Sequence, residues 1–171
     1  MRGRVISVPN LPGLRPTPSK VRQALFNILG PVDGFQMLDL YAGSGIMALE
    51  ALSRGAAMAT SIEQDRRAVK ALQQNREKLG LSQQTWRITA AGVERALSAQ
   101  AGESFDLIFA DPPYAQGFAE ALPALLAQHG VRCGQLVIEE SSRIQPNWPS
   151  GWICRQSRRY GDTSLHFLTI N

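Results

Sequence analysis

Two short segments carry residue types that can do chemistry. The first is Leu38-Asp39-Leu40-Tyr41-Ala42-Gly43-Ser44-Gly45, with Glu63 following at the end of the next apolar run. Gly43 and Gly45 allow a sharp turn and close approach of the backbone to a ligand. A carboxylate at Glu63 can accept both hydroxyls of a ribose. Gly43, Gly45 and Ala48 fit G-x-G-x-x-A, with Glu63 standing 18 positions beyond Gly45, as a dinucleotide site requires. A pyrophosphate, however, needs a helix N-terminus free of nearby negative charge. Asp39 stands just before the glycines and suits a ligand with positive charge, such as the sulfonium and amino group of S-adenosylmethionine. The pattern favours adenosylmethionine over a nicotinamide cofactor; with no ligand at all, it would be a tight turn.

The second segment is Asp111-Pro112-Pro113-Tyr114, which follows the apolar run Phe105–Ala110. Consecutive prolines fix φ and lack N–H groups, so they make a rigid rim of carbonyls. The Asp111 carboxylate and the Pro112 carbonyl form an acceptor pair that can take both hydrogens of a planar NH₂ group. Tyr114 offers an aromatic face for a stacked base. The exocyclic amine of a nucleobase is a poor nucleophile because its lone pair is delocalised into the ring. Accepting both its hydrogens favours pyramidalisation and frees that pair for in-line attack on a methyl group, much of the acceleration coming from positioning. Asp111 can also receive the departing proton. The candidate catalytic set is Asp111, Pro112, Pro113 and Tyr114; the alternative is a strand-ending turn.

The elements that position these residues follow from hydrophobic periodicity. Thr17-Pro18 reads as a helix start, with Thr as N-cap and Pro in the first helical position. Val21, Leu25, Ile28 and Leu29 continue it at helical spacing to Gly30. Strands are expected at 36–40, 59–62, 85–89, 105–110 and 135–139, and helices at 46–54, 65–79, 92–99 and 118–128. That alternation implies a parallel sheet covered on both faces. Residues 153–160 and 163–170 flank Gly161-Asp162, a two-residue hairpin signal. The expected fold is a Rossmann-like α/β domain over residues 1–171, with seven strands, mostly parallel, and a C-terminal antiparallel hairpin. Residues 1–30 form a basic segment and a helix packed on that body. In such sheets ligands bind beyond the carboxyl ends of the strands, where both segments fall.

Composition excludes several classes. The 171 residues are 44% hydrophobic and 19% charged, as in an ordinary globular chain and not a disordered one. No apolar run reaches the roughly 18 residues of a membrane span. Met1-Arg-Gly-Arg4 has no apolar core behind it, so no secretory signal is expected and the protein reads as cytoplasmic. Cys133 and Cys154 form no CxxC and have no histidine at ligand spacing, so no metal is expected. The first 32 residues carry a net charge of +5, while the remaining 139 carry −1. A basic end on a near-neutral body implies a polyanion contact through Arg2, Arg4, Lys20 and Arg22, unless it is a solvated arm. Arg155, Arg158 and Arg159 would extend such a footprint or simply face solvent. Glu139 and Glu140 either orient substrate or form a solvated rim. His166 and Trp86 read as core residues, and His129 as exposed.

Leu38–Gly45 and Asp111–Tyr114 resemble the first and fourth motifs of class I adenosylmethionine-dependent amino-methyltransferases. The run 15–27 (RPTPSKVRQALFN), Leu49–Gly55 and Tyr160–Thr163 are similar to the bacterial RsmD-type small-subunit ribosomal RNA guanine-N2 methyltransferases, over nearly the whole chain. The resemblance implies methylation of the N2 of one guanosine in 16S ribosomal RNA, on the small subunit or its assembly intermediate; a monomer is expected, although the sequence itself leaves oligomeric state open. It implies cofactor contacts from Asp39, Tyr41, Ala42, Gly43, Ser44, Gly45, Glu63, Gln64 and Ala91, with Arg15 and Thr17 helping to close the site. It also implies that Asp111–Tyr114 hold the guanine.

Three positions depart from the family pattern. An Arg-Ile-Ile-x-Gly strand usually precedes the family's Arg-Gly-Arg and is missing here or lies outside this chain. Ala90-Ala91 stands where Asp or Asn plus Ala is frequent, so adenine would be read by backbone or packing. Pro18-Ser19 replaces a common Thr-Asp. Rival readings are a DNA adenine-N6 methyltransferase, whose target-recognition region 171 residues leave little room for, and a nucleic-acid-binding module with an inactive cofactor pocket. A protein-glutamine methyltransferase would have Asn at position 111, and a nicotinamide oxidoreductase would need a second domain.

Overall fold

The computed structural model describes residues 17–171; Arg2, Arg4 and Arg15 lie outside them. Strands β1 (Gln36–Leu40), β2 (Met58–Glu63), β3 (Trp86–Ala90), β4 (Ser104–Ala110) and β5 (Arg132–Ser141) run parallel. Strands β6 (Trp152–Tyr160) and β7 (Thr163–Ile170) are antiparallel, and the order across the sheet is β3-β2-β1-β4-β5-β7-β6. This is the expected seven-stranded Rossmann-like sheet, with the hairpin adding its second strand to β5. The order reverses between β2-β1 and β4, and the crevice of such a sheet opens at that switch point.

Side chains alternate across the strands. Met37, Leu107, Phe109 and Val137 face the helices α1 (Ser19–Leu29), α2 (Ile46–Ser53) and α3 (Arg66–Lys78). Leu38, Leu40, Ile108, Ala110, Leu136 and Ile138 face α4 (Val93–Ala99) and α5 (Phe118–Gln128). Both faces are dry, which is why these strands read as nearly continuous apolar runs. Trp86 and His166 are buried, Trp86 donating from Nε1 to Ser61 Oγ at 3.0 Å. His129 is half-buried rather than exposed. Among the described residues no helix is long and apolar enough to cross a membrane, and no group of His, Cys, Asp and Glu is arranged to hold a metal ion.

Helix α1 begins one residue later than its sequence signal. Pro18 occupies the cap position, and no side chain caps the helix. The helix is fixed instead by Arg22, which donates to Glu50 Oε2 at 3.1 Å and to the Thr17 carbonyl at 3.2 Å. Glu50 also accepts from Arg54 at 2.7 Å, and the Arg54 guanidinium lies 5.1 Å from the Phe26 ring centre. Thr17 and Pro18 are thereby held against the sheet.

The turn after β1 depends on Gly45, at φ 73°, where an added Cβ would meet Leu72 Cδ2 at 2.5 Å and Trp86 Cζ2 at 2.7 Å. Gly45→Ala should therefore cost about 2–4 kcal/mol, combining overpacking with left-handed strain. Thermal unfolding should show a lowered midpoint; an unchanged one would mean that α2 and α3 adjust freely around the turn.

Candidate functional site

Parallel strands deliver their carboxyl ends to one rim. Asp39 stands opposite Phe109 in the β1–β4 register, and Asp111 and Glu139 each follow the Ala110↔Ile138 pair of β4 and β5. Alternation therefore places Asp39, Asp111 and Glu139 on the face that α1 and α2 cover. A cavity of about 820 Å³ opens there, lined by Thr17, Pro18, Tyr41, Glu63, Gln64, Ala91, Asp111, Pro112, Pro113, Tyr114 and Glu139, among others. Sequence positions from 17 to 163 thus converge on one space.

The glycine loop forms the wall beside β2. Glu63 accepts from the Gly43 N–H through Oε2 and from the Asp65 N–H through Oε1, both at 2.8 Å. These two amides hold the carboxylate in place and leave its remaining lone pairs for a ligand. Ala42 donates to the Ile62 carbonyl at 2.9 Å, and Gly45 donates to the Ala42 carbonyl at 2.8 Å. Ser44 is buried in the turn, while Tyr41, at φ 61°, turns toward the cavity and tilts against Phe118 with ring centres 6.5 Å apart. The Ala91 N–H is taken by the Glu63 carbonyl at 3.0 Å. Ala91 therefore meets a ligand by packing, not with that donor.

Asp39 is 1% exposed, and its Oδ2 has no hydrogen-bond partner among the described residues. Burial raises its pKa to about 8; the Ala48 N–H at the start of α2 opposes the rise and the charge on Glu63 adds to it. Asp39 lies behind the residues that line the cavity, and its one unpaired oxygen would be stabilised by a cationic donor. Glu63 supplies a diol acceptor, and Ile62, Ala91 and Val93 supply apolar wall. These residues fit a ligand that combines an adenosine with an ammonium or sulfonium centre.

Across the cavity, Asp111 is also raised to about 8, by burial first and then by the charges of Glu139, Asp39 and Glu140. Tyr114 donates its hydroxyl to Glu139 Oε1 at 2.7 Å and lies 3.0 Å from Thr163 Oγ1. Its own pKa is raised, chiefly by burial. Glu139 and Glu140 are buried at 3% and 2% exposure, so neither forms a solvated rim. Glu140 accepts from the Ser141 N–H at 2.7 Å and the Ala115 N–H at 3.2 Å, tying down the chain after Tyr114. Burial raises the pKa of Glu139 as well.

The expected RNA-contacting residues divide. Lys20 is exposed at the start of α1. Arg22 is not free for phosphate, because Glu50 and the Thr17 carbonyl occupy it and its side chain is only 16% exposed. Arg2 and Arg4, with the cofactor candidate Arg15, fall outside the described residues.

A glycine turn braced by Glu63, a buried acid behind it and an Asp-Pro-Pro-Tyr rim on a β3-β2-β1-β4-β5-β7-β6 sheet define a class I methyltransferase fold and site. Residues 1–169 match the family described as Conserved hypothetical protein 95, and the chain belongs to that family. Ribosomal RNA small subunit methyltransferase D of Escherichia coli K12 is 38% identical over 167 residues, covering 95% of this chain and 83% of that protein. The protein of the same name from Haemophilus influenzae is 33% identical, covering 95% of this chain and 86% of its own. The solved structure of Escherichia coli yhhF superposes with a TM-score of 0.85 at 35% identity, over 99% of this chain and 93% of that one.

Asp39 gives the ligand-free site a pH signature. Its folded pKa lies above its unfolded value, so its stabilising contribution is complete below about pH 4 and is lost as pH rises towards about 8. Asp39→Asn should therefore make the ligand-free protein more stable near pH 8, by ~1 kcal/mol or more, and flatten the slope between pH 5 and 8. Urea midpoints across that range would test this; parallel curves for the two proteins would mean that Asp39 is solvated.

Proposed function

We propose that this protein transfers a methyl group from S-adenosylmethionine to the exocyclic N2 amine of a guanosine in 16S ribosomal RNA. It acts as a single domain and a monomer in the cytoplasm, on the small ribosomal subunit or an assembly intermediate. The observation that carries the reading is the meeting, in one cavity, of a clamped ribose-type acceptor at Glu63 and the Asp111–Pro112 acceptor pair. The named relatives support ribosomal RNA as the substrate.

When bound, S-adenosylmethionine supplies an electrophilic methyl group on its sulfonium. Glu63 would hold the ribose hydroxyls, and Asp39 would face the positive end. Thr17, the Tyr41–Gly45 turn, Gln64 and Ala91 would complete that half of the pocket, with Arg15 closing it. Asp111 and the Pro112 carbonyl accept the two N2 hydrogens of guanine, and Pro113 stiffens the rim. The Tyr114 ring stacks on the base. As the amine loses its planarity and gains positive charge, the Asp111 carboxylate stabilises it more than it stabilised the ground state. The amine proton then passes to the ionised form of Asp111, whose affinity for a proton is raised by burial and by the neighbouring carboxylates.

Mass mapping of nucleosides in 16S RNA, with and without this protein, tests the reading. N2-methylguanosine should appear at one nucleotide; N6-methyladenosine in DNA would favour the DNA-methylating alternative instead. Glu63→Ala should weaken adenosylmethionine binding by about 1.5–3 kcal/mol, the worth of charge-assisted hydrogen bonds. Calorimetry showing unaltered affinity would place the ribose elsewhere. Asp111→Ala should lower single-turnover methylation by about 10²–10³-fold while the cofactor still binds. Asp111→Asn, which keeps one acceptor without the charge, should fall less. Retention of more than about a tenth of the rate by the alanine variant, under 1.4 kcal/mol of barrier, would reduce Asp111 to part of a turn.

A further inference from the structure

One buried acceptor at this rim has no task in the scheme above. Glu139 stands beside Asp111 on the neighbouring parallel strand, one position past the Ala110↔Ile138 pair, and adjacent strands lie about 4.8 Å apart. It is 3% exposed and lines the same cavity as Asp111, Pro112 and Tyr114. Its Oε1 accepts the Tyr114 hydroxyl at 2.7 Å, which fixes the plane of the carboxylate. Its Oε2 is shut from solvent and has no partner of good hydrogen-bond geometry among the described residues; the Thr163 and Thr17 hydroxyls interact with the carboxylate only more weakly. A buried carboxylate oxygen without a full donor is costly, so the strand ends hold an acceptor for a donor that arrives from outside.

The chemistry of the substrate class indicates which donor that is. An enzyme that works on an extruded base reads its Watson–Crick edge. Guanine carries N1–H immediately beside its N2 amine, whereas adenine-type purines carry a bare acceptor at N1. With N2 against Asp111 and Pro112, the next donor along the base edge is N1–H, and the next acceptor along the rim is Glu139. We propose that Glu139 accepts the N1–H of the target guanine and thereby selects guanine over purines whose N1 is an acceptor. This inference rests on the guanine-N2 reading. A purine with a lone pair at N1 would set that pair against the Glu139 oxygen. Tyr114 then has two roles: its ring stacks on the base, and its hydroxyl acts through Glu139 as a positioning group.

The test uses two bases that share the 2-amino group and differ at N1 and in the 6-substituent, so the change of ratio in the Glu139 variant is what assigns the discrimination to Glu139. Small-subunit RNA carrying either guanosine or 2,6-diaminopurine riboside at the mapped nucleotide is assembled into particles and methylated under single-turnover conditions. The wild-type protein should favour guanosine roughly 5- to 150-fold, the usual discrimination of a well-placed base contact. Glu139→Gln presents an amide donor as well as an acceptor. It should slow guanosine methylation and move the ratio towards one, whereas damage to packing alone would slow both substrates and leave the ratio intact. Equal wild-type rates on the two bases, or a wild-type ratio in Glu139→Gln, would overturn the proposal. Tyr114→Phe keeps the ring and frees Oε1, so it should lower the ratio even if Glu139→Gln does not fold. Should mapping show no N2-methylguanosine, the parent reading fails at that earlier step and this inference with it.

Discussion

The carboxyl rim of the sheet is governed by carboxylates held out of water beside one another. Asp39, Glu139 and Glu140 are buried and Asp111 is half-buried beside them, where it feels the charge of the other three. Neutral groups of similar size would be easier to fold around, since a buried charge without a partner is costly. The fold accommodates them in different ways. Glu140 receives two amides and Glu139 receives a phenol, while Asp39 and Asp111 favour the protonated form to about pH 8. On the proposed reading, a cationic ligand would reverse that preference at Asp39, and an amine that gains charge would reverse it at Asp111. The same electrostatic tension can thus serve both binding and catalysis.

That arrangement needs a cavity wall that cannot drift. Glu50 on α2 supplies the anchor, accepting from Arg22 of α1 and from Arg54 of its own helix. Both ion pairs are partly shielded, so salt screens them less than it screens exposed pairs. Their consequence is local: Thr17 and Pro18 stay at the cavity wall, and the Thr17 hydroxyl faces Glu139. Arg22 therefore has a structural role.

The local geometry of contiguous segments was legible in the sequence. Asp111-Pro112-Pro113-Tyr114 and the Gly43–Gly45 turn declare their geometry through proline and glycine; apolar runs marked the five parallel strands, and Gly161-Asp162 marked the closing hairpin. What could not be read depends on partners distant along the chain. Strand β5 extends to Arg132–Ser141 rather than 135–139 because Ser104 pairs with Arg132 and Thr163 with Ser141. The burial of Glu139 follows from that pairing with β7, so two glutamates after an apolar run look like a rim when read locally. Arg22 counted as free charge because its acid lies 28 residues on. Thr17 looked like a cap, yet its role is set by the cavity that it lines. Only a backbone register could show that the Ala91 amide was already taken by Glu63.

The order β5-β7-β6 has a consequence for biosynthesis. Strand β7 follows β6 in the chain but lies inside it in the sheet, pairing on one side with β5 and on the other with β6. A ribosome that has extruded the chain only through Tyr160 has delivered every helix and six strands, yet β5 still presents an open, apolar edge. Such edges template intermolecular pairing, and domains that close by late, long-range contacts are exposed to it longest. Thr163, which braces Tyr114, opens β7. The interval in which the nascent protein is vulnerable to aggregation is therefore also the interval in which its base-binding rim is incomplete, and the same strand ends both.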